Sequence, residues 1–224
     1  MSRLSAVSAA VLLGCLAPLA QADEWATIKG KFVFGGAPPA AGELKADKDV
    51  KINPEAAKAA AGAKVELDNK DCRFEPHVAF VQVGQELVVK NSDSVGHNSN
   101  IATVKNAPSN NLIPASGSAT VKFTSDEAVP AQVTCNIHPW MKAWLVVRPN
   151  PYAAVSKADG TFEIKDVPVG EVELQFWHEK AGYIGEMTVG GKAEKASKGR
   201  KKVAVAAGGT DLGEIVLAPG VFQK

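Results

Sequence analysis

The chain has 224 residues, with 25 basic and 24 acidic side chains and a formal net charge of +1. Its length allows one large domain or two small ones, and its near-neutral charge argues against a nucleic-acid-binding surface. Hydrophobic residues make up 46% of the chain and occur in short runs between 20 Gly and 13 Pro, which is typical of an all-β protein rather than a helical one.

The first 22 residues have the pattern of a secretory signal peptide. A basic Arg3 precedes an apolar stretch over 4–19, and Ala20-Gln21-Ala22 has the small side chains that a signal peptidase requires. The stretch is too short and too interrupted for a membrane span. We therefore expect cleavage after Ala22 and an exported, periplasmic protein, with a lipid anchor at Cys15 as the alternative.

Residues 23–63 are predicted to form an N-terminal strand and a connector. Apolar side chains alternate over Trp25 to Phe34, which predicts one strand. The Ala- and Lys-rich segment that follows contains a candidate short helix over Glu55 to Ala61 and no visible chemistry.

Residues 64–149 are predicted to form a Greek-key β-sandwich. Val78–Val83 and Leu87–Asn91 flank a tight turn and predict an antiparallel hairpin, and a polar loop over Ser92–Asn100 follows. Short strands are also predicted at Val65–Leu67, Thr120–Phe123, Ala131–Cys135 and Leu145–Val147.

Residues 150–224 are predicted to form a second, smaller β-sandwich. A turn at Asp159-Gly160 leads into a strand over Thr161–Ile164, and a turn at 168–170 leads into a strand over Glu171–Trp177. Three further strands are predicted, at Gly185–Val189, Lys202–Ala206 and Leu212–Leu217.

The segment from Cys135 to Met141 carries a metal-site pattern. Cys135, His138 and Met141 place a thiolate, an imidazole and a thioether within one short loop between two strands. Soft sulfur with imidazole and a weak axial Met is the donor set that copper prefers. One imidazole leaves such a site under-coordinated, so we expect His97, in the loop after the strand that ends at Asn91, to complete it.

These residues resemble the cupredoxin family of type 1 copper proteins over roughly 64–147. The Cys-His-Met spacing is similar to that of the amicyanin branch, and His97-Asn98 resembles the first ligand and its following Asn. The resemblance implies one bound copper and a tie between the two ligand loops through Asn98. It also implies that electrons leave through His138, in an apolar surface that includes Pro139 and Trp140.

Cys72 and His77 are candidates for a second role near the copper. If Cys15 is removed with the signal, only Cys72 and Cys135 remain in an oxidising compartment, so they either pair or serve as thiolates. A disulfide between them would consume the copper thiolate. The predicted hairpin places Cys72 and His77 at the same end of the sandwich as His97, as rim residues, partners of the ligands or extra ligands; His77 is more simply a partly exposed strand residue.

The run 159–170 resembles a hairpin of prealbumin-like domains, which include carboxypeptidase regulatory-like modules. This resemblance implies a fold and no activity. Trp177-His178-Glu179 lacks a second His or a nucleophile at a useful spacing, which favours a structural role.

We therefore expect one-electron transfer with a redox protein such as a dehydrogenase or a cytochrome, and no enzymatic activity, because the chain shows no acid–base pair or nucleophile. The alternatives are non-enzymatic copper handling and a carbohydrate- or protein-binding β-module. The chain has only three Met and four His, too few for the Met-rich or His-rich tail that copper handling would favour.

Overall fold

A computed structural model describes residues 24–34, the backbone of 43–46, and residues 63–223. The predicted signal peptide (1–22), the candidate lipid site Cys15 and the predicted helix over 55–61 lie outside these residues. Across the described ranges the secondary structure is β-strand, with two short 3₁₀ turns at Ser197–Gly199 and Pro219–Phe222. The all-β prediction is confirmed. The described residues include no helix with the length and hydropathy of a membrane span.

The first unit contains most of the strands before residue 150. They are β3 (Val65–Lys70), β4 (Arg73–Glu75), β5 (Val78–Gln82), β6 (Glu86–Asn91), β7 (His97–Ala102), β8 (Ser109–Ile113), β9 (Ser118–Lys122), β10 (Ala131–Thr134) and β11 (Lys142–Arg148). One sheet has the order β5-β11-β10-β7-β8 and the other β4-β3-β6-β9. Their facing apolar side chains form one core that includes Leu67, Phe74, Phe123 and Leu145.

The predicted hairpin between residues 78–83 and 87–91 is wrong. β5 pairs in parallel with β11, whereas β6 pairs in parallel with β3 and antiparallel with β9. The turn after β5 therefore crosses from one sheet to the other, and Gln85 closes it by accepting the N–H of Gln82 on its side-chain oxygen (2.7 Å). Both strands bury apolar residues, and this pattern alone cannot distinguish paired strands from strands stacked across a core.

The predicted polar loop over 92–100 contains the start of a strand that was not predicted. β7 begins at His97, pairs with β8 and β10, and buries His97, Asn98 and Ser99. Polar residues are usually a sign of exposed chain. Here the side chains of His97 and Asn98 are buried because they contact Cys135, so the hydrophobic pattern could not reveal the strand.

The second unit contains strands from both ends of the chain. They are β1 (Trp25–Phe34), β2 (Glu43–Ala46), β12 (Ala153–Val155), β13 (Thr161–Pro168), β14 (Gly170–His178), β15 (Gly182–Tyr183), β16 (Glu186–Val189), β17 (Lys192–Lys195), β18 (Arg200–Val205) and β19 (Thr210–Leu217). One sheet has the order β13-β1-β19-β16-β17, and the other has β12-β2-β14-β15 with β18 beside β14.

The N-terminal strand β1 belongs to the core of this second unit. It pairs antiparallel with β13 and parallel with β19, and its Ile28 and Phe32 pack among apolar residues of the C-terminal strands, such as Phe176 and Ile215. This strand was predicted to belong with the connector over residues 23–63. Its alternation predicted a strand, but nothing local in the sequence indicates a partner more than 100 residues away.

The two units meet at Glu179, which directly follows β14. Its carboxylate accepts hydrogen bonds from Trp144 Nε1 (3.0 Å) and lies 2.8 Å from His77 Nε2, both in the first unit. The ring of Trp144 also packs edge-on against Trp177, with centroids 5.0 Å apart. Aromatic packing and hydrogen bonds thus join the units here, and the Tyr183 hydroxyl also links them by donating to the Ala128 carbonyl (2.5 Å).

Candidate metal centre

His97 stands at the first position of β7 with its side chain fully buried. The preceding loop is shaped by Asn91 at the end of β6, whose side-chain amide donates to the carbonyls of Val95 (2.8 Å) and Ile113 (2.9 Å). Because β7 pairs with β8, His97 lies opposite Ile113. These bonds fix where His97 enters the sheet.

Cys135 and Met141 close the loop between β10 and β11. The Cys135 N–H donates to the Met141 carbonyl (3.4 Å), and the Met141 N–H donates to the His138 carbonyl (3.0 Å). The side chains of Cys135 and Met141 are both buried in the core of the first unit. The loop therefore turns its sulfur atoms inward, and its residues from Asn136 to Trp140 remain at the surface apart from the half-buried His138.

Three of the predicted ligands converge. Cys135 Sγ lies 4.0 Å from His97 Nδ1 and 3.8 Å from His138 Nδ1, and the rings of the two histidines are 4.5 Å apart. With the metal–sulfur and metal–nitrogen lengths of zinc sites as a guide, donors at a trigonal angle are separated by about 3.8 Å. Both ring nitrogens that face the sulfur are Nδ1. The donor atoms therefore fit one metal ion bound between them.

Asn98 joins the two loops that carry these donors. Its side-chain oxygen accepts the backbone N–H of Asn136 (2.7 Å) and of Ile137 (3.3 Å), and the Cys135 thiol (3.4 Å). Its side-chain nitrogen donates to Asn110 of β8 (2.7 Å). Asn98 therefore holds the candidate ligands together through hydrogen bonds.

Asp93 makes the other contact of His97. Its carboxylate lies 2.8 Å from His97 Nε2, on the side of the ring away from Cys135. It also accepts the backbone N–H groups of Asp71 (2.7 Å) and Cys72 (3.0 Å), which form the turn between β3 and β4. Burial alone raises the pKa of Asp93, but the two N–H groups and His97 outweigh it and hold the pKa below its ordinary value.

Cys72 lies near the site but belongs to a second cluster of potential metal ligands. Its sulfur, an Asp93 carboxylate oxygen and a His97 ring nitrogen are all within 4.8 Å of one another, whereas Cys135 is grouped with His97 and His138. Both Cys72 and Cys135 are free thiols, so within the described part of the chain no disulfide consumes the Cys135 sulfur. The Cys72 carbonyl accepts the indole N–H of Trp140 (3.2 Å).

His77 lies away from the candidate site. Its ring contacts Glu179 at the junction of the two units, and its carbonyl accepts the backbone N–H of Trp144 (2.9 Å). Neither of the two clusters of potential metal ligands among the described residues includes His77. The incorrect hairpin had placed His77 at the same end of the sandwich as His97. Cys72 does lie near His97, because the turn after β3 is bound to Asp93.

An apolar surface surrounds the half-buried His138. Ile137 is 51% and Trp140 65% exposed, and Pro139 between them is also exposed. The Trp140 ring packs against the His138 ring with centroids 5.2 Å apart. Contiguous exposed apolar side chains of this kind are typical of a surface that contacts a partner.

Asp93 was not among the site residues predicted from the sequence. The available signal was an acidic residue four positions before a candidate ligand, since metal-binding histidines commonly donate their second N–H to a carboxylate. That spacing is common in loops, and only the fold shows that Asp93 also reaches the turn at residues 71–72.

No family model and no curated protein matches the chain. Among solved structures, a copper-containing nitrite reductase from Thermus scotoductus aligns at 23% identity, covering 44% of this chain and 27% of its own, with a TM-score of 0.36. A methionine-to-alanine mutant of amicyanin in its Cu(I) state aligns at 16% identity over 47% of this chain and 98% of its own, with a TM-score of 0.35. A purple cupredoxin from Nitrosopumilus maritimus aligns at 18% identity over 37% of this chain and 98% of its own, at 0.32. Scores of this size by themselves establish neither a shared family nor a shared activity.

Proposed function

We propose that this chain is a mononuclear type 1 copper protein that transfers single electrons to or from a redox partner. The observation that carries the proposal is the convergence of His97 Nδ1, His138 Nδ1 and Cys135 Sγ at trigonal spacing, with His97 and Cys135 buried and His138 half-buried. Met141, whose buried side chain belongs to the same core, is the proposed axial ligand. Bound copper supplies a one-electron change between Cu(II) and Cu(I).

The protein's part is to hold the donors in one arrangement for both oxidation states. Asn98 fixes the Cys135 loop against β7, Asn91 fixes the loop before His97, and backbone hydrogen bonds close the loop over Met141. Donors that are held this way rearrange little when the charge on the metal changes, which favours fast electron exchange.

The surface of Ile137, Pro139 and Trp140 is the proposed docking site for the partner. These exposed apolar residues adjoin His138, the proposed ligand nearest the surface, so a partner seated there would approach the copper through the His138 ring. A dehydrogenase or a cytochrome is the proposed partner, and the periplasm, after cleavage at Ala22, the proposed location. The second unit is proposed to be a prealbumin-like β-sandwich with a boundary near residue 150.

The test is to load the purified protein with Cu(II) and to measure copper content, visible absorption and the electron paramagnetic resonance spectrum. We expect one copper per chain and an intense thiolate-to-copper charge-transfer band. Cys135→Ser should abolish the band. Cys72→Ser is the matched control, because its sulfur lies outside the group formed by Cys135 and the two Nδ1 atoms.

A colourless wild-type protein that binds Cu(II) only through nitrogen and oxygen would contradict the proposal. Loss of the band in both cysteine variants would show that Cys72 is a ligand and would require a different donor set. Tight binding of Cu(I) without reversible oxidation would instead support copper handling.

A further inference from the structure

The two nitrogens of the His97 ring face different groups. One faces a carboxylate, and the other faces the remaining candidate ligands. Its Nε2 lies 2.8 Å from the Asp93 carboxylate, while its Nδ1 lies 4.0 Å from Cys135 Sγ. The imidazole is fully buried, so no solvent competes for either nitrogen. An ionised carboxylate accepts hydrogen bonds and cannot donate them. The proton in this contact must therefore be on Nε2 of His97.

From this contact we infer that Asp93 is a positioning residue that fixes His97 in the tautomer able to bind copper and sets the reduction potential of the site. The inference deepens the proposed function and rests on it. With the proton held on Nε2, the lone pair of Nδ1 points toward Cys135 and His138 without further rearrangement. The negative charge of Asp93 also makes the imidazole a stronger donor.

Asp93 is itself held in place from a third part of the chain. The N–H groups of Asp71 and Cys72 donate to its two oxygens, and its own N–H donates to the side-chain oxygen of Asn91 (3.0 Å). A carboxylate with this many fixed donors cannot rotate away from His97 without breaking them. The turn at residues 71–72 thus contributes to the copper site without supplying a ligand.

The charge has a predictable effect on the two oxidation states. An anion close to the site stabilises the more positive Cu(II) state more than Cu(I), so it lowers the reduction potential. Loss of a partner of this kind costs metal affinity about 10- to 100-fold. If only the affinity for Cu(II) falls, the reduction potential of the one-electron couple rises by about 59 mV for each tenfold loss of that affinity.

The experiment compares Asp93→Asn with a matched control, Glu127→Gln. Glu127 is also a buried carboxylate that binds a turn, accepting the N–H groups of Val104, Lys105 and Asn106, and no contact described for it reaches a proposed ligand. Both variants lose one negative charge and some turn stability. Only Asp93→Asn replaces the acceptor that faces His97 with a group that can donate a hydrogen bond to Nε2.

For the copper-loaded proteins we expect Asp93→Asn to raise the reduction potential and to weaken Cu(II) binding about 10- to 100-fold, while Glu127→Gln leaves both at the wild-type values. For the metal-free wild type, nitrogen NMR of the histidine rings should show His97 protonated on Nε2 alone. The NMR measurement needs no variant, so it tests the inference even if Asp93→Asn fails to fold.

A wild-type protein without the charge-transfer band would defeat the proposed function itself. A wild type that shows the band, combined with a mixture of His97 tautomers or with equal potentials in Asp93→Asn and wild type, would overturn the inference about Asp93 alone. Equal rises of potential in both variants would also overturn it, because a general effect of charge or stability would then explain the shift.

Discussion

The side-chain oxygen of Asn98 lies 2.7 Å from the backbone nitrogen of Asn136, 38 residues further along the chain. The same oxygen accepts the N–H of Ile137 and the thiol of Cys135. One amide group therefore holds the start of the Cys135–Met141 loop against the strand that carries His97. The candidate metal centre depends on this link, because its donors come from two separate segments.

Asn98→Ala should lower the free energy of unfolding by about 1–3 kcal/mol, because it leaves the N–H groups of the loop without their acceptor. It should also broaden the charge-transfer band of the copper-loaded protein, since Cys135 becomes less well fixed. Urea unfolding followed by fluorescence measures the first effect. Asn110→Ala is the control, because it removes only the partner of the Asn98 amide nitrogen; an equal loss in both variants would contradict the prediction.

Met141→Leu should preserve the fold and the charge-transfer band but raise the reduction potential. The swap nearly conserves volume and should cost less than about 1.5 kcal/mol of stability. Loss of the proposed axial thioether removes a donor that favours Cu(II), and axial ligands tune the potential of such sites. Met187→Leu is the matched control, since Met187 is buried in the core of the second unit. An unchanged potential in Met141→Leu would remove Met141 from the ligand set.

Acid should weaken the contact that the Glu179 carboxylate makes between the two units. Burial raises the pKa of Glu179, but its hydrogen bonds with His77 and Trp144 outweigh burial and keep the pKa below the ordinary 4.5. A depressed pKa contributes stability that is fully present above the unfolded value and is lost as the pH falls through the folded one.

The difference in unfolding free energy between wild type and Glu179→Gln should therefore be fully present above the ordinary pKa of 4.5 and shrink as the pH falls through the lower pKa of the folded state. Denaturant unfolding across this pH range measures it, with Glu75→Gln, an exposed carboxylate of β4, as the control. A difference that does not change with pH would mean that the ionised carboxylate adds nothing to the contact.

Gly160→Ala should strongly destabilise the second unit. Gly160 has a φ of +84°, and an added Cβ would lie 2.2 Å from the backbone oxygen of Phe32 in β1. Gly182→Ala is the control, because its φ of +67° is also positive but nothing lies within 4 Å of an added Cβ. The control should cost about 1 kcal/mol for the backbone conformation alone.

Gly160→Ala should cost clearly more than Gly182→Ala, because β1 must move away from the turn that precedes β13. Thermal unfolding of the two variants compares these costs. Equal losses would show that β1 packs less closely on this turn than the structure indicates.

The residues of the proposed copper site could be predicted because their signal is chemical and local. Cys135, His138 and Met141 lie within one loop, and few roles other than metal binding need a thiol, an imidazole and a thioether at that spacing. His97 lies on a different strand, and it could be predicted only by combining its chemistry with an expected Greek key. The structure brings His97, Cys135 and His138 together.

The partners of these residues could not be predicted in the same way. Asp93 is one acidic residue among 24 acidic side chains, and its contact with His97 depends on the loop that Asn91 shapes. His77 was expected near the site because two neighbouring strands were taken to pair. In the structure these strands stack in separate sheets, and His77 faces Glu179 of the second unit.

The sequence by itself determined the all-β class, most strand positions and the donor types of the candidate site, because alternation, turn residues and ligand chemistry are properties of short segments. The tertiary structure alone decided that β1 completes the second unit, that Asp93 orients His97 and that Glu179 joins the two units. Each of these depends on which distant strands share a sheet or a core. Many pairings bury similar apolar area, so packing of the whole chain selects among them.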